Sequence, residues 1–380
     1  MKSMYKSQAF PEDKRKNPID LIFLSFVLII LVCGLVVMAS ASYANAYYYM
    51  GNSLHYISRQ LFFAFIGLIA MTITANFDYH NWRKYAWVIY FISILLLLFV
   101  FTQRKINDAR RWIFVGPINF QPSEIAKFSI IILYAMLLDC HKKRMSSFWY
   151  GILPFALILA LPAGLILIEP HISATILIVG ISAIMIFVGG LSWKLITVSG
   201  VCGAGAVFAA SLIPKIQERF MERYNIWKDP FIDPQGDGFQ TIQSLYAIGS
   251  GGLMGTNLGN SKQKYLFLPE PQNDFVFSIA CEELGFIGAI LIITLFIALI
   301  WRGFTIAINA RDTFGKMMAI GLTIQVGLQA FLNMAVVTNT IPNTGISLPF
   351  FSYGGTSLIM LLAQMGIVLN ISRNAALEKE

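Results

Sequence analysis

Long apolar runs separated by short polar segments make up most of the chain. A helix needs about 20 apolar residues to cross the hydrocarbon core of a membrane, and ten runs meet this requirement. They begin near Leu21, Ile57, Tyr85, Ser123, Ile152, Ile172, Leu195, Phe275, Met317 and Ser357. One polar segment, residues 214–272, is much longer than the others. The pattern predicts an all-α polytopic membrane protein with about ten transmembrane helices and one long loop between helices 7 and 8.

Composition narrows the class of protein. Of the 380 residues, 57% are hydrophobic and 13% are charged, which is about half the charged share of an ordinary soluble protein. The net charge of +8 is spread between the apolar runs. Nucleic-acid binding needs a basic face or domain, so we expect no nucleic-acid partner. The four cysteines and four histidines show no metal-ligand spacing, and the sequence predicts no metal site.

The basic residues predict the orientation. With the N-terminus in the cytoplasm, sixteen Lys and Arg residues fall inside and ten outside, as the positive-inside rule favours. We therefore predict one integral membrane domain, 1–380, with a cytoplasmic tail at 1–20, a large extracellular loop at 214–272 and a cytoplasmic tail at 373–380. The first run is longer than the core of a signal peptide. We expect it to be retained as a helix, although Ala39-Ser40-Ala41 resembles a cleavage site.

Ionisable residues gather at the outer ends of the predicted helices. Arg59 lies in helix two, and Glu124 and Lys127 lie in the first turns of helix four. Charged groups inside a membrane are costly, so they are functional candidates by default. For Lys127 the alternative is a side chain that extends to the outer lipid headgroups.

Three acidic residues belong to the start of helix eight. Asp274 opens it from outside, where it either caps the helix or accepts a proton from a substrate hydroxyl. Glu282 and Glu283 follow about 12 to 14 Å deeper. At that depth they must be protonated, solvated or paired, and Lys127 or Arg59 are the candidate partners. Both a structural ion pair and a catalytic role stay open.

A short outer loop before helix four is basic against the positive-inside trend. Four basic residues and one acid occupy eight positions: Arg104, Lys105, Asp108, Arg110 and Arg111. A phosphate-bearing ligand would explain them, because Arg binds phosphate oxygens through two hydrogen bonds. The alternative is a loop held against lipid headgroups with Trp112 as its anchor.

The long loop contains a glycine-rich stretch, residues 249–255. Such a stretch either presents backbone N–H groups to an anion or forms tight turns. The basic and acidic residues of the whole loop balance, so it is not a simple electrostatic trap.

Seven segments, in family order along nearly the whole chain, resemble the SEDS family (shape, elongation, division and sporulation), which includes FtsW, RodA and SpoVE. They are Ala109-Arg110-Arg111-Trp112, Phe120-Gln121-Pro122-Ser123-Glu124 with Lys127, Gln243 to Gly252, Leu268-Pro269-Glu270, Asp274-Phe275, Glu282-Glu283-Leu284-Gly285 and Leu348 to Gly355. Residues 244–246 and 261–266 are more similar to the FtsW and SpoVE branch than to RodA.

The resemblance implies a peptidoglycan glycosyltransferase in the bacterial cytoplasmic (inner) membrane, with both termini cytoplasmic. It would polymerise lipid II into glycan strands at the outer face. Asp274 would be the catalytic carboxylate, a general base on the acceptor sugar hydroxyl. The residues that we predict to bind substrate are Arg59, Arg110, Arg111, Glu124, Lys127, Lys262, Lys264, Glu283, Ser352 and Tyr353.

The resemblance also implies partners. These are lipid II, the nascent glycan strand, a class B penicillin-binding protein as transpeptidase, and proteins of the divisome, the elongasome or the sporulation machinery. We expect no cofactor. Assistance by a divalent cation stays open, although the sequence shows no cage of metal ligands.

The chain departs from the family pattern at three places. Asp108 replaces a usual glycine, Asn273 replaces a threonine, and Glu169-Pro170-His171 stands where Gln-Pro-Asp is frequent. His171 thus removes a carboxylate that some relatives have. Two other functions stay open: a lipid II flippase, which should carry polar groups near the membrane midplane, and a non-catalytic scaffold that recruits the penicillin-binding protein.

Overall fold

Twelve helices and one short hairpin form the described part of the chain. The computed structural model describes residues 18–105, 110–115, 118–192, 194–195, 197, 214–236 and 238–376. The elements are α1 (Leu21–Met50), α2 (His55–Asn76), α3 (His80–Val100), β1 (Ile113–Val115), β2 (Ile118–Phe120), α4 (Pro122–His141), α5 (Phe148–Gly151), α6 (Leu153–Ile168), α7 (Ile172–Val188), α8 (Pro214–Lys228), α9 (Phe239–Ser250), α10 (Val276–Ile308), α11 (Thr313–Val337) and α12 (Gly355–Asn374). Short 3-10 helices lie at Lys142–Arg144 and Pro230–Ile232.

Seven of the described helical stretches are long and apolar enough to cross a membrane. They are α1, α2, α3, the α5–α6 stretch Phe148–Ile168, α10, α11 and α12. Helix α7 is apolar but shorter, with 17 residues, and α4 has 20 residues. The prediction of an all-α polytopic membrane protein is confirmed. The span predicted to begin near Leu195 lies almost entirely outside the described residues, so the number ten stays a prediction.

Helices α4, α11 and α12 form the centre of the bundle, and the other helices pack around them. In the apolar part of each helix, 72% of the residues of α11 and 67% of those of α12 are buried inside the protein, against 22% for α2. Helix α2 approaches α12 so closely that a Cβ on Gly366 would clash with the Met71 carbonyl oxygen. Close backbone approach at small residues is typical of helix packing in membranes. Outward-facing side chains such as Trp301, 75% exposed in the isolated chain, are large and apolar, as a lipid-facing surface requires.

Helix α10 is interrupted near its start by Gly285, whose φ of 68° lies in the left-handed region. Two backbone carbonyls of the stretch 249–255 accept hydrogen bonds from the N–H groups of Phe286 and Ile287, at 2.9 and 3.2 Å. The N–H of Gly255 donates to a carbonyl of the same stretch at 2.8 Å. The glycine-rich stretch therefore forms turns that pack against α10, which is the second of its two interpretations.

The long loop 214–272 folds back onto the bundle. It contains α8 and α9, and two reciprocal hydrogen bonds of 3.1 Å join Trp227 in α8 to Asn339 after α11. The hairpin β1–β2 is antiparallel, with Ile113 opposite Phe120. The hydroxyl of Thr356, at the start of α12, donates a hydrogen bond to the carbonyl of Asn119 in β2 at 3.1 Å. Loop and hairpin are thus fixed at the end of the bundle where α12 begins.

Candidate active site

A cavity of about 660 Å³ opens where five helices begin: α2, α4, α7, α10 and α12. Helix N-termini carry unpaired N–H groups and the positive end of the helix dipole, so their convergence favours an anionic ligand. Seven of the predicted site residues line this cavity: Arg59, Arg111, Glu124, Lys127, Asp274, Ser352 and Tyr353.

Asp274 lies just before α10, and hydrogen bonding to its backbone carbonyl fixes its position. Its carbonyl oxygen accepts a hydrogen bond from the Asn333 side-chain amide at 2.7 Å, and the same amide donates to the carbonyl of Ile346 at 2.6 Å. Within the described residues, the Asp274 carboxylate forms no ion pair. The N-cap of α10 is Phe275, and no side chain caps it. Asp274 is therefore not the helix cap that one interpretation expected.

The segment before α12 closes over Asp274 through backbone contacts. Ser352 donates its hydroxyl to the carbonyl of Asn273 at 2.6 Å. The Tyr353 N–H donates to the carbonyl of Gln272 at 2.8 Å. Gln60 of α2 donates to the carbonyl of Ser352 at 3.2 Å. Ser352 and Tyr353 thus fix the position of the Asp274 segment besides lining the cavity.

The pKa of Asp274 is raised to about 6. Burial is the main cause, nearby Glu270 adds to it, and Arg111 acts in the opposite direction. A carboxylate with such a pKa is ionised at neutral pH and is a better proton acceptor than an ordinary aspartate. Burial lowers the pKa of His171 to about 3, so its imidazole is neutral.

Lys127 and Glu124 form an ion pair of 2.8 Å one turn inside α4. The Lys127 side chain is 2% exposed, so it does not extend to the lipid headgroups. An ammonium group has three donors, and one of them is used by Glu124. The pair therefore leaves Lys127 with further donors beside the cavity.

Arg111 is the basic-loop residue that faces the cavity. Its guanidinium donates to the carbonyl of Pro170 at 2.6 Å, in the turn between α6 and α7. Trp112 also lines the cavity, where the alternative interpretation had it as a headgroup anchor.

Arg110, which we predicted to bind substrate, is not among the described residues that line the cavity. Its guanidinium donates to the carbonyl of Phe101, the residue that ends α3, as basic side chains near helix C-termini often do. Arg104 lies over the ring of Phe114 at 4.5 Å, and Asp108 lies outside the described residues.

The other predicted substrate residues lie in a separate buried group that we call the Glu283 cluster, formed by Ser40, Ser261, Lys264, Glu282 and Glu283. Lys264 Nζ contacts Glu283 Oε1 at 3.0 Å, and the Ser40 hydroxyl donates to the same oxygen at 2.6 Å. The expectation that Lys127 or Arg59 pairs with these glutamates is wrong. The turns that pack at Gly285 bring Lys264 over the start of α10, and Lys264 supplies the positive charge.

Lys262 contributes its backbone to this cluster rather than its side chain to the cavity. Its N–H donates to Glu282 Oε1 at 2.8 Å, while its side chain is exposed. Lys262, Lys264 and Glu283 are thus not among the described residues that line the cavity of Asp274.

Sequence reasoning missed several polar residues of the cavity: Gln121, Glu270, Gln325 and Gln329. Glu270 belongs to Leu268-Pro269-Glu270, one of the segments that resemble the family, and this membership could have marked Glu270 as a candidate site residue. The two glutamines of α11 lie four residues apart in an apolar helix, and that spacing places both on one face. Within the described ranges, no group of three or more His, Cys, Asp or Glu side chains is arranged to hold a metal ion.

Comparisons with known proteins agree in one family. The model described as cell cycle protein, named for FtsW, RodA and SpoVE, matches residues 20–377. Stage V sporulation protein E of Bacillus subtilis is 41% identical over 364 residues, which cover 95% of this chain and 98% of that protein. A probable peptidoglycan glycosyltransferase FtsW of a Geobacter species is 37% identical over 368 residues, with 94% and 98% covered.

Two solved structures share the fold. A chain of a peptidoglycan synthase complex, described as coordinating polymerization and crosslinking, has a TM-score of 0.78 at 30% identity and covers 93% of this chain and 98% of its own length. The rod shape determining protein RodA of Thermus thermophilus has a TM-score of 0.70 at 26% identity, with 95% and 98% covered.

Proposed function

This chain belongs to the FtsW, RodA and SpoVE family, and we propose that it is a peptidoglycan glycosyltransferase that polymerises lipid II at the outer face of the cytoplasmic membrane. Its similarity to stage V sporulation protein E and to FtsW agrees with the predicted branch. The observation that carries the proposal is the Asp274 carboxylate, which has no ion-pair partner among the described residues and lies near Arg111 in a cavity where five helices begin.

In this mechanism Asp274 is the general base. The acceptor sugar hydroxyl forms a bond from its oxygen to the anomeric carbon of the lipid-linked donor. The bond from that carbon to the diphosphate breaks, and its electron pair leaves with the diphosphate. The hydroxyl proton passes to the Asp274 carboxylate. The raised pKa of Asp274, about 6, suits a group that must be ionised at neutral pH and still attract a proton.

The leaving diphosphate is stabilised by positive charge. Arg59 and Arg111 line the cavity, and the converging helix N-termini add backbone N–H groups. Donors held in place before the reaction stabilise charge that develops in the transition state. Lys127, oriented by Glu124, contributes its remaining donors. We propose that no protein-bound cofactor takes part.

The membrane arrangement and the partners complete the proposal. The cavity faces outward and both termini are cytoplasmic, as the positive-inside distribution supports. Similarity to a chain of a peptidoglycan synthase complex supports a class B penicillin-binding protein as the transpeptidase partner. The divisome, the elongasome or the sporulation machinery would then recruit the pair.

A lipid II flippase is the weaker alternative. A transporter needs polar groups near the midplane that change partners during transport. The deepest acidic residues, Glu282 and Glu283, are bonded to the loop segment around Ser261 and Lys264 instead. The charged residues that line the cavity lie at or beside helix N-termini. Gln325 and Gln329 line it from within α11, and they are uncharged.

The test is polymerisation of purified lipid II in detergent by the purified full-length protein, with and without the transpeptidase. Products are separated as glycan strands on a gel. We expect Asp274→Asn to lower the rate by roughly 100-fold to 10,000-fold, the usual contribution of a general base.

Asp78→Asn is the matched control, because it makes the same chemical change at an exposed residue at the opposite end of the bundle. Its rate should equal that of the wild type. The absence of polymer from the wild type, or equal polymer from Asp274→Asn, would contradict the glycosyltransferase. Loss of polymer in Asp274→Asn with an intact transpeptidase complex excludes the scaffold.

A further inference from the structure

A buried carboxyl group next to the cavity has no role in the mechanism above. Glu169 follows α6 and is 1% exposed. Its Oε1 atom has no hydrogen-bond partner among the described residues. A buried acceptor without a partner is unfavourable, so its presence beside the reaction site needs a reason.

Arg111 is the charged group that faces Glu169. Its guanidinium donates to the carbonyl of Pro170, the residue after Glu169, at 2.6 Å. The Nε atom of Arg111 is itself buried without a partner in the described part of the chain. An unpaired donor and an unpaired acceptor of the described residues therefore lie on two side chains that interact electrostatically.

Three other ionisable groups lie near this pair. Asp274 attracts Arg111 from the cavity side, and Arg223 of α8 repels it. The imidazole of His171 is neutral, since burial, Arg111 and Lys127 all lower its pKa. Arg111 therefore has two acidic neighbours, of which one, Asp274, lines the cavity and the other, Glu169, does not.

We propose that Glu169 is a positioning residue that competes with the substrate diphosphate for Arg111, an inference that rests on the proposed function. With Glu169 protonated, Arg111 extends into the cavity and binds the diphosphate. With Glu169 ionised, Arg111 turns to its carboxylate and the diphosphate loses a bidentate partner.

Burial raises the pKa of Glu169 to about 8, and Arg111 acts against this shift. The carboxyl group is thus mostly protonated at pH 7 and mostly ionised at pH 9. Diphosphate binding should therefore weaken as the pH rises through 8.

The direct test is binding of tritiated undecaprenyl diphosphate to the purified full-length protein at pH 7 and pH 9. We expect the wild-type dissociation constant to rise on the order of tenfold, the scale of one hydrogen bond to a charged group. Glu169→Gln should show no such rise, although it meets the same ligand at the same pH. Glu222→Gln, at an exposed position of α8, is the matched control and should follow the wild type.

Polymerisation kinetics provide the second readout. The wild-type kcat/KM for lipid II should fall from pH 7 to pH 9, because Arg111 binds the diphosphate both before and during the reaction. In Glu169→Gln the kcat/KM should stay level over the same range. An equal pH dependence in both proteins would overturn the inference. So would a Glu169→Gln variant that binds poorly at both pH values and melts at a lower temperature, since that pattern indicates a purely structural role.

The binding measurement separates this inference from the proposed function. If the wild type forms no polymer but shows the pH-dependent binding that Glu169→Gln lacks, the glycosyltransferase fails and the competition for Arg111 stands. If the wild type polymerises lipid II and the two proteins bind alike, only the competition fails.

Discussion

The start of α10 carries two acidic sites that differ in how their charge is satisfied. In the Glu283 cluster, Glu283 receives Lys264 at 3.0 Å and the Ser40 hydroxyl at 2.6 Å. Nine positions earlier, Asp274 has no ion-pair partner within the described residues, and only its backbone is held. Residues of the long loop border both sites: Ser261 and Lys264 contact Glu283, and Glu270 lines the cavity of Asp274.

The comparison separates structural from functional charge. A buried ion pair is tolerated when its geometry and additional hydrogen bonds offset the loss of hydration. Burial without a compensating positive charge instead raises the pKa of a carboxyl group. Groups with shifted pKa values concentrate at reaction sites. By this criterion the Glu283 cluster fastens the loop to α1 and α10, and Asp274 is available to substrate.

The largest expected effect comes from removing the positive charge of the Glu283 cluster, which tests whether this cluster stabilises the fold. Lys264→Met should lower the free energy of unfolding by about 3 to 5 kcal/mol, because it leaves Glu283 buried and unpaired. Thermal unfolding in detergent measures the effect. Lys262→Met is the matched control, since the Lys262 side chain is exposed, and it should unfold like the wild type.

An unchanged melting temperature together with weaker lipid II binding in Lys264→Met would contradict this prediction. It would support the sequence-based assignment of Lys264 to the substrate-binding site.

A second comparison uses neighbouring arginines of the basic loop. Arg111→Lys should lower kcat/KM for lipid II about 10-fold to 100-fold, because a lysine cannot replace a bidentate guanidinium. Arg110→Lys should change it little, since Arg110 contacts the end of α3. Steady-state kinetics of both variants decide the point. Equal losses would mean that the whole loop binds the diphosphate.

The smallest expected effect is a pH dependence of the unpaired carboxylate. The pKa of Asp274 is raised to about 6, so its basic form is lost as the pH falls through that value. The wild-type kcat/KM should decline below pH 6 and fall about tenfold for each further unit. Rates measured between pH 5 and pH 7 would show it. A flat profile would mean that Asp274 does not act as the base.

Sequence reasoning predicted most of the fold because the bilayer imposes a one-dimensional rule. Each crossing needs about 20 apolar residues, and this requirement can be counted along the chain. The same rule exposed Asp274 and Lys127, since charged residues at such positions are costly wherever their partners lie. All seven predicted residues that line the cavity come from segments next to predicted helix starts or from the outer loop.

The sequence did not predict which charged residues pair with one another. Lys264 and Glu283 are 19 residues apart, and Ser40 is a further 224 residues from Lys264. Close to this cluster, Gly285 adopts a left-handed conformation, which the sequence shows only as one glycine among 29. Likewise, Arg110 and Arg111 are adjacent and chemically identical, yet one contacts α3 and the other faces the cavity.

The sequence by itself determined the membrane class, the approximate helix positions and the identity of the carboxylate at the start of α10. These features follow from the transfer cost of each residue and its spacing along the chain. The tertiary structure decided which charges are paired, which are left open and which side chains share the cavity. Those choices depend on contacts between distant segments, which form only when the helices pack.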